Sequence, residues 1–303
     1  MIWLPVVGNY ADIDVYASII AYADLLNQRG KAAKTYIPAA PNYSVPQALR
    51  LPEWENTTFD FKPEDEAIIL DVSIPAAINR LVPDNQILEI IDHHPGYEEY
   101  WHKRIGNKAI IEKIGAVATS IFEWWGECWD YSKMSPAVAK LLLGAILDNT
   151  LNFNAKITTE RDHQAANKLA KIAGTTVPEF TAWYFSEVSQ NVIKNLEYSL
   201  TNDCKTVELP LNKSALAFGQ LTLWDAQNVV AQQDKIIQIM NSTYPAWLVS
   251  VICIAENKNY IIASPPEIRN YLTELLNLKT EGDWLTSNQL RLRKEIISKM
   301  LDQ

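Results

Sequence analysis

The first half of the chain alternates short, continuously apolar segments with stretches whose apolar residues recur at helical spacing. Strands are predicted at residues 2–7, 34–37, 67–72, 87–91 and 110–114. Helices are predicted at residues 15–28, 75–81, 118–129, 136–147 and 159–173. Apolar strands that alternate with helices are typical of a mostly parallel sheet covered by helices on both faces. The pattern therefore predicts an α/β fold with a doubly wound, mostly parallel sheet.

The pattern changes at about residue 188. Strands are predicted at 213–218, 246–255 and 259–263, and helices at 192–200, 223–239 and 267–276. The chain then runs into a basic segment, NQLRLRKEIISKML, at residues 288–301. We interpret residues 1–187 as one domain and residues 188–303 as a second, smaller α/β domain.

Composition narrows the class of protein. The chain has 303 residues, 48% of them apolar, and a net charge of −9. This acidic balance argues against a generic binder of nucleic acid or anionic membranes, so we expect no stable nucleic-acid complex and no membrane association. No apolar run reaches the ~18 residues of a membrane span, and the first residues, MIWLPVVGNYADID, lack a basic region, so no signal peptide is expected. Three scattered cysteines give neither a zinc pattern nor a disulfide framework, so a cytoplasmic location is expected.

Acidic and histidine side chains follow the ends of several predicted elements. Ligands of open parallel sheets bind at the carboxyl ends of the strands, so side chains placed there can converge. The candidates are Asp12 and Asp14 after the first strand, Asp71 after the third, Asp92, His93 and His94 after the fourth, and Asp148 at a helix end.

Metal binding gives such a cluster a physical reason, because carboxylates that are packed together without a cation repel one another. Mixtures of Asp and His without Cys suit Mn²⁺, Mg²⁺ or Co²⁺ better than structural zinc. Two ions that share one carboxylate can activate a bridging water and bind phosphoryl oxygens. Each acid taken alone is more simply explained as a helix N-cap, so the hypothesis depends on the whole set.

These segments resemble the motifs of the DHH phosphoesterase superfamily. The matching runs are VVGNYADIDVYASIIAYADLL, AIILD, IIDHH, IGAVATSIF, and GAILDNTLNF followed by TTERD, in the superfamily's order and spacing over about residues 1–180. In the second domain, LRLRKEII resembles the basic SRKKQVV signature of family II, manganese-dependent inorganic pyrophosphatases. Prune-like exopolyphosphatases share this kind of second domain. The glycine-rich GGGH-type motif of the oligonucleotide-cleaving branch is not in the sequence.

The resemblance implies a set of metal ligands. One ion would be held by Asp14, Asp71, His93 and Asp148. A second ion would be held by Asp12, by the shared Asp71 and by a motif histidine. Here Gly8 takes the place of that histidine and Asn9 stands beside it as the candidate replacement. One or two ions, Mn²⁺ or else Mg²⁺ or Co²⁺, are therefore expected, and the second should bind weakly or only with substrate.

The resemblance also implies roles around the ions. His94 would approach phosphate, Asp92 would orient the two histidines, and Asp71 completes the catalytic set. From the second domain, Arg291, Arg293 and Lys294 would contact phosphate as the basic segment closes over the site. Without the resemblance, this segment is better explained as an amphipathic C-terminal helix.

The leading hypothesis is a metal-dependent hydrolase that cleaves the phosphoanhydride bonds of pyrophosphate or short polyphosphate with a metal-activated hydroxide. A nucleotide or oligonucleotide phosphodiesterase is a second hypothesis, disfavoured by the second domain and the acidic charge. A third is a family member that binds a phosphate ligand without turnover, because the motif histidine is replaced. The aromatic run SIFEWWGECW is better explained as a core or dimer helix than as a ligand site, so a homodimer stays open.

Overall fold

The computed structural model describes residues 1–209 and 214–301. The chain divides into two compact units, Met1–Tyr184 and Phe185–Gln303. Among the described residues, every helix is too short or too polar to cross a membrane.

The first unit contains a five-stranded sheet in the order β2-β1-β3-β4-β5. Its strands are β1 (Ile2–Pro5), β2 (Ala33–Tyr36), β3 (Glu66–Leu70), β4 (Ile87–Asp92) and β5 (Ala109–Ile111). All neighbouring pairs are parallel, so the carboxyl ends of the strands share one edge of the sheet. Leu70 pairs with Ile91, and Ile91 pairs with Ile110. The parallel sheet expected from the apolar runs is confirmed.

Helices cover this sheet, and the longest apolar ones are the most buried. They are α1 (Ile13–Gln28), α2 (Pro75–Ile78), α3 (Glu98–Ile105), α4 (Val117–Cys128), α5 (Pro136–Asn149), α6 (Glu160–Ile172) and α7 (Val177–Lys194). Helix α1 packs against both α4 and α5. Because α1 lies in the core, it buries even its polar residues Asp14 and Ser18. The first turn of α1 is therefore enclosed by the elements that pack around it.

The second unit has its own mixed sheet. Within its described residues the strand order is β10-β11-β9-β8-β7-β6, and only β7 and β8 are parallel neighbours. The elements are α8 (Leu196–Thr201), β6 (Lys205–Glu208), β7 (Ala215–Leu223), α9 (Gln227–Val230), α10 (Gln233–Thr243), β8 (Trp247–Cys253), β9 (Lys258–Ser264), α11 (Pro266–Leu276), β10 (Lys279–Glu281), β11 (Trp284–Ser287) and α12 (Arg293–Leu301). Helix α12 buries Ile296 and Met300 against Phe218 and Leu272. The second α/β domain expected from the sequence is confirmed.

The predicted helix at 223–239 is the clearest error. Leu223 is the last residue of β7 and pairs with Cys253 of β8, and two helices, α9 and α10, follow instead of one. Helix α3 and strands β6 and β10 were not predicted, because they are short and mostly exposed and bury few apolar residues. Lys213, the first residue of the predicted strand at 213–218, lies outside the described residues.

Candidate metal centre

Asp71 follows β3 in a backbone conformation that few side chains adopt. Its φ of 61° lies in the left-handed region, which Asp enters more readily than most non-glycine residues. Its N–H donates to the carbonyl of Ile91 at 2.9 Å. Since Ile91 also pairs with Leu70, this bond continues the pairing of β3 and β4 by one residue. Asp71 is thereby held beside the end of β4.

The run Asp92-His93-His94 ends β4 next to Asp71. The Nε2 atom of His93 lies 3.5 Å from Oδ1 of Asp71, and the Nδ1 atom of His94 lies 3.7 Å from the same oxygen. Each of these three side chains offers a ligand atom, and the three atoms lie within 4.8 Å of one another. The structure therefore brings together Asp71, His93 and His94, as the positions after β3 and β4 predict.

Asp92 forms hydrogen bonds with both histidines. This side chain is 1% exposed, and its Oδ1 accepts the N–H of His93 at 2.7 Å and the N–H of His94 at 3.1 Å. The Nδ1 of His94 lies 2.8 Å from the same oxygen. Burial alone would raise the pKa of Asp92, but the hydrogen bond and charge of His94 lower that pKa below its usual value. Asp92 therefore stays ionised and orients the histidines.

His93 is buried, and its ring is oriented by a backbone carbonyl. Its Nδ1 lies 3.2 Å from the carbonyl oxygen of Ile114. A carbonyl oxygen can only accept, so Nδ1 carries a proton and donates it to this hydrogen bond, while Nε2 faces Asp71. Metal-binding histidines are oriented in this way, with the other ring nitrogen donating to a carbonyl or a carboxylate.

Asp14 is held by the first turn of another helix. This fully buried side chain accepts the N–H of Val117 on Oδ2 and the N–H of Ala118 on Oδ1, both at 2.9 Å. The N-cap residue of α4 is Ala116, which has no side-chain oxygen to satisfy these groups. Asp14, from α1, therefore caps α4 and complements the positive end of its dipole.

Two further acids of the predicted set lie close to Tyr184. The Oδ1 of Asp148 lies 3.1 Å from the hydroxyl oxygen of Tyr184. Burial raises the pKa of Tyr184, and the charges of Asp148 and Asp12 raise it further. Asp12 is also the N-cap of α1, because its Oδ1 accepts the N–H of Val15 at 3.1 Å. The start of α1 and the end of α5 therefore face the same buried tyrosine.

Residues 3–146 match the sequence model of the DHH family, N-terminal domain. This chain carries a DHH-family domain. The Asp71, Asp92, His93 and His94 cluster lies inside that domain, whereas Asp148 and Tyr184 follow it in the chain. The resemblance drawn from the motifs is confirmed.

Similarity to whole proteins extends over both units. The manganese-dependent inorganic pyrophosphatase of Bacillus subtilis is 25% identical over 267 residues, covering 83% of this chain and 82% of the relative. A Deinococcus radiodurans protein assigned the same activity is 23% identical over 304 aligned positions, covering 94% and 93%. Both relatives span most of this chain, including its second unit.

Two solved structures share the fold. A Methanococcus jannaschii protein assigned to the family II inorganic pyrophosphatases covers 99% of this chain and 100% of its own, with a TM-score of 0.68 and 20% identity. An exopolyphosphatase-related protein of Bacteroides fragilis covers 99% and 90%, with a TM-score of 0.53 and 12% identity. At these identities the likeness concerns the fold alone.

Within the DHH domain, one short segment connects the two predicted metal ligands His93 and Asp14. Residues 114–118 offer the carbonyl of Ile114 to His93 and the amides of Val117 and Ala118 to Asp14. The path of this segment therefore decides where both side chains point.

A buried loop supports the start of α1. The Oγ of Ser44 accepts the N–H of Ile13 at 2.9 Å, and the carbonyl of Ser44 lies 2.8 Å from the hydroxyl oxygen of Tyr184. The N–H of Asn42 donates to the carbonyl of Ala11 at 2.8 Å. Nothing in the sequence pattern singled out Ser44 or Tyr184, since a serine in a loop and a tyrosine in an apolar helix have many ordinary roles.

Asn9 and Gly8 lie on the surface of the DHH domain. Gly8 has a φ of 142°, which a residue with a side chain rarely adopts. A side chain at this position, such as the histidine of the related motif, would therefore require a different backbone path.

Arg293 was predicted to contact phosphate, but its side chain is held inside the second unit. It is 8% exposed, and its guanidinium donates to the carboxylate of Asp203 at 2.6 Å, to the backbone carbonyl of Asp203 and to the carbonyl of Phe218 at 3.2 Å. These contacts use three of the five N–H groups of the guanidinium and give Arg293 a structural role, while its contact with phosphate stays a prediction. Arg291 and Lys294, on either side, are partly exposed.

The donor set of Asp71 and His93 fits a divalent first-row ion. A carboxylate and an imidazole suit Mn²⁺ and its neighbours, and the bond from Nδ1–H to Ile114 directs Nε2 of His93 toward Asp71. His94 donates through Nδ1 to Asp92, and its side chain is 41% exposed, so its Nε2 is open to a ligand. The arrangement can hold a cation and, beside it, offer an imidazole to an anion that the cation binds.

Proposed function

We propose that this protein is a manganese-dependent hydrolase of phosphoanhydride bonds that acts on pyrophosphate or short polyphosphate. The observation that carries the proposal is the geometry of His93, which donates Nδ1–H to Ile114 and directs Nε2 toward Asp71. Relatives of similar length are manganese-dependent inorganic pyrophosphatases, which supports the choice of metal and substrate class.

The proposed ligands of the tighter ion are Asp71 and His93, with Asp14 and Asp148 completing the set. When bound, this ion would polarise a phosphoryl oxygen and make a water nucleophilic at neutral pH. Asp14 keeps both carboxylate oxygens oriented through the amides of α4, and Asp148 is oriented by Tyr184. The chain thus fixes the direction of these acids before an ion arrives.

His94 is proposed to bind the substrate. Its Nδ1–H is committed to Asp92, which fixes the plane of the ring, while Nε2 remains open to a phosphate oxygen. Asp92 acts on the substrate only by holding His94. From the second unit, the partly exposed Arg291 and Lys294 are the proposed phosphate contacts.

A second ion is proposed to bind more weakly, through Asp12, Asp71 and Asn9. Asn9 supplies a neutral amide oxygen where the related motif has an imidazole, and Gly8 supplies no side chain. Fewer charged or nitrogen ligands lower the affinity of a site for Mn²⁺. We therefore expect one tightly bound ion in the absence of substrate.

Phosphate release with Mn²⁺ tests the proposed function. Pyrophosphate, tripolyphosphate and long-chain polyphosphate are compared as substrates, with a dinucleotide to detect phosphodiester cleavage. Asp71→Asn should reduce phosphate release by more than about 100-fold. Loss of an outer partner of a metal ligand costs up to about 100-fold, and Asp71 is itself a proposed ligand. Asp60→Asn, an exposed site in the same unit, is the matched control and should keep full activity.

Cleavage of the dinucleotide alone would favour a phosphodiesterase. Equal phosphate release by wild type and Asp71→Asn would contradict the proposed chemistry. Gly8 motivates one alternative, a protein that binds phosphate compounds without turnover. Calorimetry with Mn²⁺ and a non-hydrolysable pyrophosphate analogue identifies this case, in which binding occurs but no phosphate is released.

A further inference from the structure

Asp162 is a fully buried carboxylate that lies outside the predicted site. It stands in the first turn of α6 and accepts four hydrogen bonds. Its Oδ2 accepts the N–H of Thr159 at 2.7 Å, the hydroxyl of Thr159 at 2.8 Å and the N–H of Gly115 at 3.1 Å. Its Oδ1 accepts the hydroxyl of Thr119 at 2.6 Å.

Helix capping accounts for only part of this arrangement. The bond from the N–H of Thr159 is part of the capping box of α6, a common local structure at the start of a helix, and the hydroxyl of Thr159 adds a second local bond. The bonds to Gly115 and Thr119 reach the start of α4, 47 and 43 residues earlier in the chain. A capping role would leave these two bonds unexplained.

The two long-range bonds hold residues 114–118, the segment that contacts two predicted metal ligands. Gly115 follows Ile114, whose carbonyl accepts the Nδ1–H of His93. Thr119 follows Ala118, whose N–H donates to Asp14. Asp162 therefore holds residues 114–118 at both ends, while the atoms between them contact His93 and Asp14.

Gly115 shows how closely the segment approaches Asp162. A Cβ atom at this position would lie 2.7 Å from Oδ2 of Asp162 and 2.5 Å from Cγ2 of Thr150. Both distances are shorter than van der Waals contact, so the approach requires glycine. The segment has little freedom to take another path while Asp162 stays in place.

We propose that Asp162 is a positioning residue for the metal centre. By fixing residues 114–118, it keeps His93 in the Nδ1–H tautomer and keeps the amides of α4 directed at Asp14. Its effect on metal affinity rests on the proposed function, whereas its effect on the ring of His93 does not require a metal.

The test uses the full-length protein with Asp162→Asn, which keeps the size of the side chain but removes its charge and one acceptor oxygen. Glu160→Gln is the matched control, because Glu160 is an exposed acid in the same first turn of α6. Nitrogen NMR of the metal-free protein, which has four histidines to assign, reports the tautomer of His93. Calorimetry with MnCl₂ reports the affinity.

For Asp162→Asn we expect loss of the single Nδ1–H tautomer and about 10- to 100-fold weaker Mn²⁺ binding, the usual cost of removing an outer partner of a metal ligand. Glu160→Gln should match wild type in both measurements. An unchanged tautomer together with unchanged Mn²⁺ affinity in Asp162→Asn would overturn the proposal.

A second pair of variants decides the question if Asp162→Asn does not fold. Thr119→Val removes only the hydroxyl that donates to Asp162, and Thr119→Ser keeps it. The valine variant should show weaker Mn²⁺ binding and a mixed tautomer, with recovery in the serine variant; equal behaviour of the two would overturn the proposal. Failure of wild type to bind Mn²⁺ would instead contradict the proposed function, and the metal-free spectra would still decide the role of Asp162.

Discussion

At the scale of single residues, the chemistry of the centre depends on where a few protons lie. His93 donates its Nδ1–H to the carbonyl of Ile114, so its Nε2 is directed toward Asp71 before any ion binds. His94 donates its Nδ1–H to Asp92, so its Nε2 is open to another partner. The two adjacent histidines thus differ in role because different groups, the Ile114 carbonyl and the Asp92 carboxylate, accept their Nδ1–H.

Tyr184→Phe tests one such group. The hydroxyl of Tyr184 lies 2.8 Å from the carbonyl of Ser44 and 3.1 Å from Asp148, in a fully buried position. Its removal should lower the free energy of unfolding by about 1–3 kcal/mol, because the one hydroxyl proton that the Ser44 carbonyl and Asp148 share is lost from a buried position. Mn²⁺ binding should weaken as well, since Asp148 loses its orientation.

Urea denaturation and calorimetry with MnCl₂ measure the two effects of Tyr184→Phe. Tyr97→Phe is the control, because Tyr97 is an exposed tyrosine of the same unit. A Tyr184→Phe protein with wild-type stability and wild-type Mn²⁺ affinity would show that the hydroxyl orients nothing.

At the scale of elements, β4 shows how one strand serves two purposes. Its apolar residues Ile90 and Ile91 lie fully in the core, and its last residue, Asp92, begins the site. Glu89 interrupts the apolar run and receives a hydrogen bond from Tyr22 of α1. Burial nevertheless raises the pKa of Glu89 above its usual value.

Glu89→Gln is predicted to change the pH dependence of stability. The pKa of Glu89 is higher in the folded than in the unfolded protein, so wild type loses stability as pH rises from the usual glutamate range through the folded-state pKa. Glutamine carries no charge and avoids this loss. The melting temperature of Glu89→Gln should therefore exceed that of wild type increasingly from acid to neutral pH.

Thermal denaturation across that pH range checks the prediction for Glu89. Glu66→Gln, at an exposed position in the neighbouring strand β3, provides the comparison and should follow wild type. A melting-temperature difference that stays the same at every pH would contradict the proposed cause.

At the scale of the whole molecule, periodicity predicted the parallel sheet because its strands are short apolar runs between helices. It failed at residues 223–239, where β7 runs on to Leu223 because every residue of β8, Trp247–Cys253, pairs with β7. The same distinction holds for the site. Asp71 and His93 follow strand ends and could be predicted, whereas Asp162 and Tyr184 reach the site only through the tertiary fold.

Arg293 shows this limit most clearly. A basic motif predicted an anion contact, but the partner of Arg293 is Asp203, 90 residues earlier in the chain. Arg293→Met should lower the free energy of unfolding by about 3–5 kcal/mol, because the buried carboxylate of Asp203 would lose the cation that compensates its charge. Denaturant unfolding measures the loss.

Lys299→Met is the matched control for Arg293→Met, since Lys299 is an exposed cation on the same helix and its loss should change stability little. Equal stability of wild type and Arg293→Met would contradict a structural role. A raised KM for pyrophosphate at unchanged stability would support the predicted phosphate contact of Arg293.

The bonds between Asp14 and the amides of α4 have a consequence for the order of events after synthesis. A buried acid that waited for its cation would oppose folding until the cation arrived. Here two amides already solvate Asp14, so this acid can be buried without a cation beside it. For Asp14, burial during folding and binding of a metal ion are therefore separable events.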